Sequence, residues 1–201
     1  MSKFKANIRI KTPEEIESMT LSFEKCSKGK SFNDATTYEK GKTKYIIVGT
    51  YTPKEGRDAG YFYCSKSNSQ YELIDYGFHD GEKLLDKKGS VNQIKNTLKE
   101  RKIAFLDVVK TAISRDDSSS DDDIVFYSLD YEAFRTVDFS GVKIAANSKN
   151  AEFRLTQILM KNGDEEIIRR IKLIPQNIRG NWKVAKDKKT LMSMWSEFFN
   201  K

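Results

Sequence analysis

A carboxamide flanked by aromatic rings is the part of this sequence best suited to act on a ligand. Asn68 lies in a polar loop, with Tyr63 before it and Tyr71 after it. The amide of an Asn offers a hydrogen-bond donor and an acceptor side by side, and a tyrosine ring can stack on a flat heterocycle. These residue types would suit a site that stacks on a flat heterocycle and hydrogen-bonds to its edge.

The same residues also have a structural interpretation. An Asn in a turn rich in Ser and Lys often bonds to its own backbone, and tyrosine rings commonly fill a hydrophobic core. The residue types alone leave both roles of Asn68 open. Of the two rings, we favour Tyr63 for stacking and Tyr71 for the core.

The element that must position this loop is a strand over residues 45–49. An apolar run from Tyr45 ends at Gly49 and opens into Thr50 and Tyr51. Such a run is typical of a buried parallel strand, which delivers its loop to the carboxyl edge of a sheet. Open α/β folds bind their ligands at that edge.

Further strands and helices alternate along the chain. Strands are predicted at residues 103–109, 142–146 and 167–174, with 124–129 as a strand or an extended segment. Helices are predicted at residues 12–25, 71–76, 90–102, 130–134, 149–161 and 188–199. Loops are predicted at residues 27–43 and 114–123. Alternation of this kind predicts a parallel sheet with helices on both faces. The expected fold is a three-layer α/β/α domain around a central, mainly parallel four-stranded sheet, spanning residues 44–201 after a helix and loop appendage at 1–43.

Composition excludes several classes of protein. The 201 residues include two Cys and one His, too few for a disulfide framework or for an ordinary zinc or iron–sulfur site. The apolar stretches are too short to cross a bilayer, and the N-terminus has no signal-like core. We therefore expect a cytoplasmic protein that needs no structural metal.

The net charge of +7 is concentrated near the C-terminus. Residues 169–189 contain eight Lys and Arg against Asp187 alone, which equals the whole excess. Focused positive charge is expected of a surface that neutralises phosphates, although a merely solvated face would have the same composition.

Three segments, in this order, resemble the uracil-DNA glycosylase superfamily, specifically its hypoxanthine-DNA glycosylase-like branch. They are Gly49-Thr-Tyr with Tyr63 and Asn68, residues 103–109 with the Ser/Asp-rich loop after them, and residues 142–147 with residues 171–181, which stand at the place of the family's DNA-inserting loop. The resemblance runs from residue 45 to the C-terminus. It implies the uracil-DNA glycosylase fold and excision of uracil or hypoxanthine from DNA by a monomer, without metal, cofactor or membrane.

The resemblance also implies roles for individual residues. Asn68 corresponds to the catalytic Asn, which either holds the water that attacks the sugar or bonds to the departing base. The implied base-binding residues are Gly49, Thr50, Tyr51, Tyr63 and Asn147; the implied DNA-binding residues are Ser118, Ser119, Gln176, Asn177, Ile178, Arg179, Asn181 and Lys183.

Departures from the family pattern keep two alternatives open. Thr50 stands where the classical uracil enzymes have Asp or Asn, Ser148 replaces a Gly, and the last loop has no His. A non-catalytic nucleic-acid binding module of the same fold would fit these changes. A small-molecule enzyme fits less well, because the sequence has no phosphate-binding loop of the Gly-x-x-x-x-Gly-Lys type.

Overall fold

The structure of the protein is a computed structural model that describes residues 26–51, 60–63, 68–79, 85, 90–115, 124–176 and 185–200. The helix predicted at residues 12–25 lies outside this part of the chain. The strands are β1 Cys26–Lys30, β2 Tyr45–Gly49, β3 Ile103–Asp107, β4 Val109–Arg115, β5 Ile124–Leu129, β6 Lys143–Ala146 and β7 Ile171–Leu173. The α-helices are α1 Gln70–His79, α2 Val91–Glu100, α3 Tyr131–Arg135, α4 Lys149–Asn162, α5 Glu165–Ile168 and α6 Lys188–Asn200.

The central sheet has four parallel strands in the order β3-β2-β6-β7. Successive side chains of a strand point to opposite faces, so each buried strand supplies two cores. Ile47 and Phe105 pack with α1, α2 and α6, whereas Ile46 and Ala104 pack with α3, α4 and α5. The predicted three-layer α/β/α fold with a mainly parallel four-stranded sheet is confirmed.

A second, antiparallel sheet in the order β1-β4-β5 was not predicted. Residues 27–30, expected in a loop, pair with β4. The strand expected at 103–109 is two strands in different sheets, because the chain turns at Val108, whose N–H donates to Gly49 O at 2.9 Å. Residues 124–129 form a strand, but they join this second sheet rather than the central one.

The predicted fourth strand at residues 167–174 is wrong in its first half. Residues 165–168 form the short helix α5, and the strand covers only Ile171–Leu173. Ile167 is buried against α4, so its apolar character reflects a helix contact rather than a strand.

A short segment before β2 covers the outer edge of β3. Asn33 donates from Nδ2 to Asp107 O and accepts at Oδ1 from Asp107 N, both at 2.8 Å. Thr36 and Thr37 donate to carbonyl oxygens of Phe105 and Ile103 at 2.7 Å each. These side chains pair backbone groups that an exposed sheet edge would leave open. The domain boundary at residue 43 stays a prediction, since residues 1–25 are outside the described part.

Helix α1 is fixed in place by a buried ion pair. Arg101 Nη1 lies 2.8 Å from Asp75 Oδ1, and the two side chains are 5% and 4% exposed. Asp75 also accepts two hydrogen bonds from the backbone N–H of Leu85. Removing one partner of such a pair leaves a buried charge uncompensated, so the pair fixes the position of α1 and of the loop that precedes it.

Gly77 allows α1 and α6 to pack closely. A Cβ on Gly77 would lie 2.6 Å from Phe199 Cδ2 and 3.2 Å from the backbone oxygen of Trp195. We expect Gly77→Ala to lower the free energy of unfolding by about 1–3 kcal/mol through overpacking, despite the higher helix propensity of Ala. Urea denaturation measures this, with the exposed Asn96→Ala as the control. A midpoint for Gly77→Ala equal to that of the control would contradict the close packing.

Candidate functional site

The carboxyl ends of the four central strands bring together residues from distant parts of the sequence. Gly49 ends β2 and Asp107 ends β3, while Asn147 follows β6 and Gln176 lies in the turn after β7. Because the strands are parallel, all four residues reach the same edge of the sheet. Asn68, just before α1, reaches the same edge, where its side chain contacts Gln176.

Three carboxamides meet at this edge. Gln176 Oε1 accepts from Asn68 Nδ2 at 3.0 Å and from Asn147 Nδ2 at 3.4 Å. We call Asn68, Asn147 and Gln176 the amide cluster. Two backbone contacts fix it: Ser69 Oγ donates to Gln176 O at 2.7 Å, and Gln176 N donates to Asn147 O at 3.2 Å.

The contacts of Asn68 include the turn bond and a contact with the amide cluster. Asn68 Oδ1 accepts from Gln70 N at 2.8 Å, the bond to nearby backbone that the turn interpretation predicts. That bond fixes the orientation of the carboxamide, so that Nδ2 points towards Gln176 and the cluster. The turn bond therefore orients the group that the functional interpretation requires.

Tyr63 closes one side of the amide cluster. Its hydroxyl accepts from Asn147 Nδ2 at 3.0 Å, and its half-buried ring packs edge-on against Phe105 with centroids 4.8 Å apart. The backbone of Tyr63 has a φ of 55°, in the left-handed region that non-glycine residues rarely adopt. Strained backbone of this kind concentrates at functional sites.

Gly49 lies directly against the hydroxyl of Tyr63. A Cβ at Gly49 would lie 2.4 Å from Tyr63 Oη and 2.9 Å from Asp107 Oδ1. A hydroxyl and a carboxylate therefore lie against the α carbon of Gly49, at a distance that only a residue without a side chain permits.

Asp107 places a carboxylate at the site, although no acid follows Gly49 in the sequence. The residue is 1% exposed, and Asn33 holds both its N–H and its C=O. A carboxylate at the end of a strand can position a water or cap the backbone N–H groups of a neighbouring loop. The structure directs its carboxylate towards Gly49, on the side of Tyr63.

Thr50 and Tyr51, which follow β2, and Ser148, which follows β6, make contacts that stabilise the fold. Thr50 Oγ1 lies 3.3 Å from Ser148 Oγ, which also accepts from Ala151 N at 3.0 Å and so caps α4. This cap explains a Ser at position 148, because a helix start favours a side chain that accepts from the first turn. Tyr51 is 8% exposed and lies in the hydrophobic cluster beneath α4, so its ring packs in the core.

The remaining aromatic prediction holds. Tyr71 is buried, stacks on Phe105 with an interplanar angle of 20°, and donates from its hydroxyl to Phe62 O at 2.7 Å. Its place is in the core, as predicted.

Gln70 is a candidate that the sequence analysis missed. Its side chain is fully buried, and neither its Nε2 nor its Oε1 bonds to any residue in the described part of the chain. Buried amides are nearly always paired, so this side chain beside Asn68 is suited to contact a water or a ligand. The only signal in the sequence was a second carboxamide in the same short segment.

The bases that the structure describes within residues 169–189 lie at two different edges of the sheet. Strand β7 crosses the sheet, so Arg169, Arg170 and Lys172 lie at or near the opposite, amino edge, where Arg170 Nη2 donates to Phe139 O and Val142 O. The start of α6 returns to the site side, where Lys188 pairs with Glu72 at 2.6 Å. Predicted contacts at Ser118, Ser119, Asn177, Ile178, Arg179, Asn181 and Lys183 lie outside the described residues.

Two further properties concern only the described part of the chain. None of its helices combines the length and the apolar character needed to cross a membrane. Its His, Cys, Asp and Glu side chains form no group of three or more that could hold a metal ion.

Comparison with solved structures shows the fold. The chain is similar to the solution NMR structure of a protein from Methanosarcina acetivorans that is provisionally named a uracil DNA glycosylase. The TM-score is 0.61 at 20% sequence identity, over 86% of this chain and 97% of the other. No protein-family model and no curated protein matches the sequence.

Proposed function

We propose that the protein is a DNA glycosylase that hydrolyses the N-glycosidic bond of a deaminated base, uracil or hypoxanthine. The observation that carries this proposal is the amide cluster, which lies beside Tyr63 and Asp107 at the carboxyl edge of a uracil-DNA glycosylase-like fold. The sequence resemblance to the hypoxanthine-DNA glycosylase-like branch supports it independently. No step of the proposed reaction requires a metal or a cofactor.

The amide cluster is arranged to bind a carbonyl oxygen. Nδ2 of Asn68 and Nδ2 of Asn147 converge on one acceptor, Gln176 Oε1, at 3.0 and 3.4 Å. A carbonyl oxygen of uracil or hypoxanthine is an acceptor of the same kind and takes the place of Gln176 when the base enters. These hydrogen bonds strengthen as negative charge develops on the departing base, so they stabilise the transition state more than the substrate.

The sugar left behind develops positive charge, which a nearby carboxylate stabilises. Asp107 reaches the site from the end of β3 and lies against Gly49 at the end of β2. In the classical uracil enzymes that the sequence resembles, an Asp or Asn follows the strand glycine. We propose that Asp107 replaces it from the neighbouring strand, while Tyr63 packs against the base and bonds to Asn147.

The test is base release from defined duplexes. The protein is incubated with DNA containing one uracil, hypoxanthine or xanthine, and abasic sites are then cleaved with alkali. We expect strand scission at uracil or hypoxanthine, and none in a control duplex with the undamaged base. Absence of scission in every duplex would refute the proposal.

The second candidate is a nucleic-acid binding module without catalysis. It is favoured by the internal pairing of the amide cluster, in which Gln176 satisfies the two Asn donors, and by Thr50 in place of an acid. Binding to DNA that weakens with salt, without any scission, would select this candidate.

A further inference from the structure

A cleft opens at the edge of the sheet opposite to the amide cluster. Its volume is about 570 Å³, and it lies where β3, β2 and β6 begin. The segment at residues 37–44, the end of α2 and the loop at residues 138–142 form its walls. It shares no lining residue with the candidate glycosylase site.

The cleft is rich in lysine. Lys42, Lys44, Lys99 and Lys102 line it, together with the acids Glu39 and Asp138. Glu39 pairs with Lys42 and with Lys99, each at 3.0 Å, and hydrogen bonds from these lysines lower the pKa of Glu39. No described acid pairs with Lys44 or Lys102, and both are exposed.

A neighbouring hollow extends the positive charge along the same edge. It has a volume of about 350 Å³, shares Gly141 and Val142 with the cleft, and adds three bases, Lys143, Arg170 and Lys172. We call the two hollows together the amino-edge surface. Its seven bases and two acids give a net charge of 7 − 2 = +5.

The spacing of these charges fits a polymer better than a small ion. The bases come from separate segments along all four strands, whose spacing of about 4.8 Å places the outer strands about 14 Å apart. A DNA strand presents one phosphate for about each 3.4 Å of duplex, so this edge matches about four base pairs. A single small anion would contact only a few of the bases.

We propose that the amino-edge surface binds the phosphate backbone of duplex DNA without regard to sequence, as a second contact separate from the glycosylase site. Strand β2 has five residues and separates the two edges by about 16 Å, so the protein would hold two segments of DNA at opposite ends of its sheet. This inference goes beyond the proposed function, because it does not require base excision.

The test is the salt dependence of binding to a duplex that contains no deaminated base. We expect the double variant Lys44→Glu/Lys102→Glu to bind more weakly, and the slope of log affinity against log salt to fall by about 2, since each lost phosphate contact contributes about 0.9. The matched control is Arg135→Glu/Lys161→Glu, which makes the same change of charge on the α3 and α4 side and should keep the slope within experimental error.

Two results would overturn the proposal. An unchanged slope for Lys44→Glu/Lys102→Glu would show that these lysines contact no phosphate, and equal losses in both double variants would show only an effect of net charge. A third measurement uses polyglutamate as the ligand. If Lys44→Glu/Lys102→Glu weakens binding to polyglutamate but not binding to DNA, the partner of this surface is an acidic protein and the proposal is wrong. Because no base is released in these measurements, a failure of the glycosylase proposal does not affect them.

Discussion

Asn68→Ala is expected to lower the rate of base release about 10³-fold while the affinity for DNA stays nearly unchanged. The substitution removes Nδ2, one of the two donors that converge on Gln176 Oε1. A donor that acts on developing charge in an enclosed site contributes about this much to the rate. Single-turnover release from a duplex with one uracil or hypoxanthine measures the effect.

Asn68→Asp is the matched variant for this prediction. It keeps the oxygen that accepts from Gln70 N, so the turn before α1 stays intact, but it replaces the donor with an acceptor. We expect a loss of activity as large as that of Asn68→Ala, with the unfolding midpoint close to that of the unaltered protein. Normal release by either variant would remove Asn68 from the mechanism.

Gly49→Ala is expected to lower base release about 10²-fold with a smaller effect on stability. The new Cβ would lie 2.4 Å from Tyr63 Oη, so the ring must move away from Asn147. Displacements of about 1 Å in a catalytic site commonly cost this factor in rate. The backbone of Gly49 does not lie in the left-handed region, so Ala causes no backbone strain.

Two variants separate a local effect at Gly49 from general damage. Gly77→Ala makes the same chemical change in the packing of α1 on α6 and should alter stability without slowing release at low temperature. Tyr63→Phe in the Gly49→Ala background removes Oη and leaves the nearest ring atom at 3.3 Å, so part of the lost stability should return, while the contact with Asp107 Oδ1 at 2.9 Å stays. Full activity of Gly49→Ala would contradict the close contact with Tyr63.

The sequence predicts the central sheet because its strands carry their own signal. Residues 45–48 and 103–106 are continuous apolar runs, and burial on both faces requires such runs. Strand β1 has no signal of that kind: Cys26–Lys30 contains two Lys, a Ser and a Gly, and becomes a strand only through pairing with β4. Pairing between residues so far apart in the sequence cannot be inferred from local composition.

The sequence likewise predicts some residues of the candidate site and does not specify others. The structure brings Asn68 and Asn147 to one acceptor, Gln176, and places Tyr63 against Asn147, while the roles that the resemblance implies for these residues stay predictions. The contact of Gln176 with both Asn residues depends on where β7 ends beside β6, and the sequence does not specify that register. A charge count along residues 169–189 likewise does not show that Arg170 lies at the amino edge while Lys188 lies on the side of the candidate site.

The shared acceptor in the amide cluster has a consequence for the discrimination of bases. Gln176 Oε1 is held by two N–H groups that point at one place, so the protein at rest already contains an oxygen where a lesion would present its own. Cytosine and adenine carry an amino group at the position where uracil and hypoxanthine carry oxygen, and an amino group meeting two N–H donors gains no bond and loses its water. If the protein has the proposed function, we expect exchange with Gln176 to be nearly balanced for a deaminated base and unfavourable for its parent, so that undamaged bases are rejected before any bond is broken.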